Sequence, residues 1–302
     1  MTAKRLLRRA ATVLVVGAGV VFVGLTIQRN WAQIGGYDWR VRWGQLTGSV
    51  LLLTASLGWS VFVWKRVLDR FDDPGVSFPR LLRISFLSKM ARYIPGKVWQ
   101  FVAVGQLSRG TESSAGVMVT SMLVHAGIVL LSAVFASALL IAEQVELLAT
   151  HPTASMMALA VLSLAAAHPK VINLSLTLLA RVARQDTLRW HGRWIDSVEV
   201  FFYSLLSWIA DGIAFYLFAD ALLPVEPYWL FPFIGIHAFS FVAGYVAFVA
   251  PAGAGVREAT MAALLRGAFP AGAAAVVAVL ARLWTIAGEL LGAAVVLLLR
   301  IR

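Results

Sequence analysis

The sequence predicts an all-α integral membrane protein of about six transmembrane helices plus two re-entrant helical hairpins arranged as inverted repeats. Three observations carry that prediction. The 302-residue chain is 60% hydrophobic and 14% charged, with a mean hydropathy of +0.81, whereas a soluble domain is about half apolar and a quarter charged. Its apolar runs reach about 20 residues, the length at which a helix satisfies its own backbone across a bilayer. Its basic residues crowd some loops and avoid others, the asymmetry that sets orientation in a membrane. The formal net charge of +11 is therefore read as topology, and nucleic acid is not an expected partner. The chain has no cysteine, which excludes disulfides, thiolate metal sites and a cysteine nucleophile.

The elements follow in order. Lys4, Arg5, Arg8 and Arg9 precede an apolar run over 10–27. That run is long for a signal-peptide core and no A-x-A site follows, so it is read as a retained first helix, about 10–28, with its N-terminus in the cytoplasm. Trp31, Tyr37, Trp39 and Trp43 suit a headgroup region, although Arg29, Arg40 and Arg42 count mildly against an external loop. The second helix, about 44–64, returns to a basic loop with Lys65, Arg66, Arg70, Arg80 and Arg83, broken by the turn signal D-D-P-G at 72–75. The third, about 114–141, ends at Glu143 and Glu146. The fourth, about 153–168, is short and ends at His168-Pro169. Lys170, Arg181, Arg184, Arg189 and Arg193 follow, and Val171–Ala183 has the apolar spacing of a helix lying along the interface. The fifth helix, about 197–219, leads to Asp220 and Glu226, and the last, about 271–299, ends at Arg300 and Arg302.

Two segments do not fit a simple span. In 81–108 an apolar run carrying Arg83, Lys89 and Arg92 stops at Pro95-Gly96 and resumes for ten residues from Val98 to Leu107. In 228–269 a run to Ala250 meets P-A-G-A-G-V-R-E at 251–258, and a short second half, Thr260 to Phe269, follows. Each reads as a re-entrant hairpin, which membranes tolerate where protein or a wet cavity covers the irregular backbone. One kinked span over 84–107 also fits the first. The hairpins are preferred on charge: the acidic loops 143–152 and 220–227 then fall outside, and the basic loops 65–83 and 170–193 inside. Both termini are then cytoplasmic in a single domain over 1–302, with halves of about 1–141 and 142–302. Hairpins entering from opposite faces are the pattern of inverted repeats.

Ionisable residues at membrane depth are costly, so they are the functional suspects. They are Arg92, Lys97, His125, Asp211, His237, Arg257, Glu258, Arg282 and Glu289. Lys97 and Arg257, with Arg92 and Arg282, are the expected binders of an anionic group near the midplane. The turns precede new half-helices whose N-termini offer free N–H groups and partial positive charge. Phosphate is the obvious anion. Glu258, Glu289 and Asp211 are expected to be structural or coupling residues, with Pro95, Gly96, Pro251, Gly253 and Gly255 shaping the turns. Arg257 with Glu289 and Glu258 with Arg282 are the natural cross-pairs. His125 and His237 are expected to hydrogen-bond between helices rather than to ligate. Trp99, Trp208, Trp229 and Trp284 read as interface anchors or packing. No H-E-x-x-H, paired-carboxylate or P-loop spacing occurs, so neither a metal, a cofactor nor a catalytic residue is expected.

R-Y-I-P-G-K-V-W at 92–99, P-A-G-A-G-V-R-E at 251–258 and Arg282 in the last helix resemble the lysylphosphatidylglycerol synthase transmembrane-region family. That family includes the flippase domain of the multiple peptide resistance factor and stand-alone membrane proteins of flippase type. Its usual second motif looks like P-G-G-x-G-x-R-E; here Ala252 and Ala254 depart from it. The resemblance implies a lipid flippase of the cytoplasmic (inner) membrane that moves a phospholipid or polyprenyl-phosphate sugar. The synthase members carry a soluble aminoacyltransferase domain that this sequence does not show, so a lipid made by a separate synthase or glycosyltransferase partner is the expected cargo. Two other readings stand beside it: a membrane-embedded lipid-modifying transferase with Glu258 or Asp211 as base, and a non-catalytic scaffold for a glycosyltransferase.

Overall fold

A computed structural model describes residues 28, 41–71, 75–93, 98–141, 152–183, 187–247 and 253–299. Among the described residues there are ten α-helices, three short 3-10 turns and no strand. The helices are α1 (Trp43–Leu68), α2 (Phe78–Met90), α3 (Trp99–Leu107), α4 (Ala115–Ile141), α5 (Pro152–Ala166), α6 (Pro169–Ala183), α7 (Trp194–Leu222), α8 (Leu230–Val246), α9 (Val256–Leu264) and α10 (Ala271–Leu298). Four of them, α1, α4, α7 and α10, have 26, 27, 29 and 28 residues. At 1.5 Å per residue, each exceeds the roughly 30 Å hydrocarbon core. With Pro227–Val246 they make five helices long and apolar enough to cross a bilayer. The chain is a multi-pass membrane protein. The first helix expected from the sequence, about 10–28, lies outside the described residues apart from its last residue.

α1 and α7 form the central antiparallel pair, and salt bridges fix both of its ends. At one end Arg42 lies 2.8 Å from Asp220 and Gln45 donates to the same carboxylate at 2.6 Å. At the other, Arg66 lies 2.7 Å from Glu199 and Arg70 2.6 Å from Asp196, and the His191 amide donates to the Arg70 carbonyl at 2.8 Å. The stretch before α1 therefore shares an end of the bundle with the acidic loop at 220–227. The basic loops after α1 and α6 share the other. Arg42, an awkward charge for an external loop on sequence alone, is explained by its carboxylate partner across the helix pair.

α4 and α8 flank the pair, and α10 packs across α1, α2 and α9. Two apolar cores result. One gathers Leu53, Phe215, Phe218, Phe233, Ala274 and Trp284 towards the Asp220 end. The other gathers Val63, Leu68, Ile84, Met118, Trp190 and Phe201 towards the Asp196 end. Small residues allow the close approaches, as expected where lipid gives no hydrophobic reward for helix association. The Phe86 ring lies on Gly292 so closely that a Cβ there would stand 2.0 Å from it.

The fourth and interfacial helices appear as α5 and α6, bent by 67° at the break before Pro169. Proline lacks the N–H and its ring clashes with the preceding turn, so the helix cannot run straight through. α5 alone has 15 residues, about 22 Å at the helical rise, less than a full span. α6 leaves Leu174, Leu178 and Val182 exposed and turns Ile172 and Leu176 into the core.

The two anomalous segments share a plan. In the first, α2 and a 3-10 turn (Ala91–Tyr93) are followed, beyond 94–97, by the nine residues of α3. In the second, α8 is followed, beyond 248–252, by the nine residues of α9.

Candidate functional site

Between the two apolar cores lies a layer of charged and hydroxyl side chains, contributed by α1, α2, α7, α9 and α10. α2 supplies its share through a three-residue repeat. Phe86, Lys89 and the following Arg92 project from successive turns, so they share a face. Phe86 sits on Gly292 of α10, which sets Arg92 against Glu289, one turn earlier on that helix. Arg92 Nη1 lies 2.9 Å from Glu289 Oε1. Glu289 is fully buried, and Arg92 is a close counterion to it. Removing one member of such a pair typically costs about 3–5 kcal/mol.

α9 is set by the glycines before it. Gly253 has φ +71° and Gly255 φ +83°, left-handed backbone that glycine adopts without steric cost. Gly253 also lies directly on α8, where a Cβ would stand 2.7 Å from the Gly244 Cα. Gly255 caps α9, and its N–H donates to Glu258 Oε2 at 2.6 Å, satisfying a helix-terminal donor. The other oxygen, Oε1, lies 3.8 Å from Arg282 Nη1 on α10. Glu258 thus joins the start of α9 to the last helix.

The carboxylates are shared out unevenly among the cations. Of the two expected cross-pairs, Glu258 with Arg282 is present, and Glu289 pairs with Arg92 rather than with Arg257. The reason is the Phe86–Gly292 contact, which no pattern in the sequence reveals. Among the described residues Arg257 has no hydrogen-bond or ion-pair partner, although Glu258, Glu289, Arg92 and Arg282 are its electrostatic neighbours. Arg257, Glu258, Met261, Ala278, Ala281 and Arg282 line a cavity with room for about one water molecule. In this conformation no lipid headgroup fits there.

Asp211 on α7 completes the layer. The Ser56 hydroxyl on α1 lies beside it and donates to the Ser207 carbonyl at 3.3 Å. Asp211 Oδ1 is buried without a hydrogen-bond partner among the described residues. Lys89 and Arg257 both act electrostatically on Asp211. Lys89 was visible in the sequence as one charge in a short apolar run. Only its depth, 8% exposed, marks it as a member of the layer.

The structure therefore brings Arg92, Asp211, Arg257, Glu258, Arg282 and Glu289 into one region. Lys97, Pro95, Gly96 and Pro251 lie outside the described residues. The histidines differ from expectation. His125 Nε2 and His237 Nδ1 are buried without a hydrogen-bond partner among the described residues. His237 instead packs among Phe215, Trp284 and Trp208, at 5.3, 5.9 and 6.2 Å between ring centroids. Tryptophans, rather than these histidines, supply helix–helix hydrogen bonds beside those of the hydroxyls: Trp208 Nε1 donates to the Val129 carbonyl at 3.1 Å, and Trp284 Nε1 to Ser49 Oγ at 3.2 Å. Trp229 packs over Gly267, and Trp99 is exposed. No group of three or more His, Cys, Asp or Glu suited to a metal ion occurs among the described residues.

Long apolar helices and a charged layer among them define an α-helical membrane protein with a polar centre. Residues 3–292 match the lysylphosphatidylglycerol synthase TM region, and the chain belongs to that family. No curated protein sequence matches it.

Proposed function

We propose that the protein is a lipid flippase of the cytoplasmic membrane, which carries the anionic headgroup of a phospholipid or polyprenyl-phosphate-linked lipid between its two interrupted segments while the tails stay in the bilayer. Arg257 carries this reading. It is a guanidinium in a charged layer at membrane depth, at the start of a half-helix, with carboxylates near it and, among the described residues, none paired to it. An unpaired guanidinium is suited to bidentate recognition of phosphate. Lys97, by sequence, is its counterpart after the first break. Arg92 and Arg282 already hold Glu289 and Glu258, so an incoming anion must compete with those carboxylates for them. Family membership supports a lipid-related role.

The two segments are read as re-entrant hairpins of an inverted repeat, and rocking of one half against the other is the mechanism that architecture favours. The water-sized cavity beside Arg257 is then the occluded form. The salt bridges that group Arg42 with Asp220, and Arg66 and Arg70 with Glu199 and Asp196, support the orientation with both termini cytoplasmic. A transferase using Glu258 as base has less support, because the Gly255 amide and Arg282 already engage both of its oxygens.

The test is transport by purified protein in phosphatidylcholine liposomes containing labelled phosphatidylglycerol. Wild type is expected to expose inner-leaflet label to an external quencher, and Arg257→Gln to slow this about tenfold, the loss of one charge-assisted contact. Wild-type rates in both Arg257→Gln and Lys97→Ala would overturn the site assignment.

A further inference from the structure

Lys89 is the cation that neither the sequence motifs nor the ion pairs account for. It is 8% exposed, yet both glutamates of the layer have close partners elsewhere. Glu289 holds Arg92 at 2.9 Å. Glu258 holds the Gly255 amide and Arg282. Asp211 and Glu289 are electrostatic neighbours of Lys89, but among the described residues no carboxylate forms an ion pair with it. Among the described residues its specific contact is with an aromatic face: Nζ stands 4.9 Å from the Phe86 ring centroid. A cation–π contact of this kind offsets only part of the loss of hydration. Phe86 is itself fixed against Gly292, so the ammonium is held in place by a rigid neighbour.

Lys89 and Arg257 thus have the same standing. They come from the two interrupted segments, one on α2 and one on α9. Both act on the same two carboxylates, Asp211 and Glu289, and neither is paired with them. Two unpaired cations flanking shared carboxylates form a site with an excess of positive charge and room in its charge balance for one anion.

We propose that Lys89 is a second ligand-binding cation of this site, which contacts the phosphate of the same lipid headgroup as Arg257. The proposal rests on the reading of the charged layer as a headgroup site. It differs from a structural role in one respect. A residue kept for binding destabilises the empty protein, because its charge is buried without a counterion, whereas a structural residue stabilises it.

Thermal unfolding of the detergent-purified full chain tests this. Lys89→Gln is expected to unfold, without lipid, at or above the wild-type temperature. Phosphatidylglycerol is expected to raise the wild-type midpoint relative to phosphatidylcholine, to leave Lys89→Gln unmoved, and to raise Lys89→Arg again. Inorganic phosphate is tested in parallel. A rise with phosphate in wild type but not in Lys89→Gln assigns the site to the phosphate group alone; a rise with phosphatidylglycerol only assigns it to lipid-linked phosphate. In liposomes, Lys89→Gln should raise the half-saturating fraction of labelled phosphatidylglycerol roughly tenfold. A full lipid-induced rise in Lys89→Gln overturns the proposal, as does the absence of any rise in wild type. So does a lower lipid-free midpoint in Lys89→Gln with no recovery of the lipid response in Lys89→Arg. If the lipid response depends on Lys89 but wild type flips nothing, the transport reading fails and the Lys89 site stands; wild-type flipping with an indifferent Lys89→Gln gives the reverse.

Discussion

Replacing Glu289 by glutamine removes the charge from a fully buried carboxylate and leaves its shape. Arg92, its partner at 2.9 Å, then loses its counterion. The side chain of Arg92 is 29% exposed and that of Glu289 1%, so solvent screens one partner and not the other. Breaking a fully buried pair costs about 3–5 kcal/mol. With Arg92 partly hydrated, the lower end, about 3 kcal/mol, is expected, a factor of more than 100 in the folding equilibrium. Removing both charges leaves neither member of this pair facing a charge that has lost its partner. The double variant Arg92→Gln/Glu289→Gln is therefore expected to be less destabilised than the sum of the single variants, by at least about 1 kcal/mol of coupling. Reversible unfolding in mixed micelles, followed by tryptophan fluorescence, measures all four corners of the cycle. Single-variant losses that simply add, within about 0.5 kcal/mol, would refute the claim that this pair holds α2 to α10.

Three further outcomes follow from the same geometry. Glu258→Gln keeps an acceptor for the Gly255 amide and loses the charge that faces Arg282 at 3.8 Å and neighbours Arg257, so it should cost about 1 kcal/mol. Glu258→Ala loses the cap as well and should cost about 2 kcal/mol; equal losses in the same unfolding assay would remove the cap from the explanation. Gly253→Ala places a Cβ 2.7 Å from the Gly244 Cα at φ +71°. The backbone strain alone is about 1–3 kcal/mol, so a sharp fall in the yield of monodisperse protein is expected, and a normal yield would mean that the turn relaxes freely. Gly292→Leu should displace Phe86, whose ring stands 2.0 Å from the position of a Cβ, at a cost of about 1–3 kcal/mol. If the displacement releases α2, it also weakens the Arg92–Glu289 coupling measured above.

The membrane class, the boundaries of α1, α4, α7 and α10, and the members of the charged layer other than Lys89 are legible in the sequence because they rest on local quantities. Those are the length of apolar runs, the position of proline and glycine, and the high cost of a charge at membrane depth. That cost is why Arg92, Asp211, Arg257, Glu258, Arg282 and Glu289 could be named before any fold was known. Charge asymmetry likewise indicates that the two basic loops share an end of the bundle.

Pairing was legible only for Glu258 with Arg282, because it depends on which helix faces meet. Glu289 and Arg282 lie seven residues apart on α10, which made Arg257 with Glu289 and Glu258 with Arg282 the natural cross-pairs. The seating of Phe86 on Gly292 gives Glu289 to Arg92, and the Glu258 cap on Gly255 holds Glu258 within reach of Arg282. Arg257 and Lys89 are left over by that division. The sequence by itself determined that a charged centre lies within a helical membrane protein. The tertiary structure decided which of its cations are unpaired, since an ion pair is fixed by the approach of two backbones and not by the spacing of residues along one.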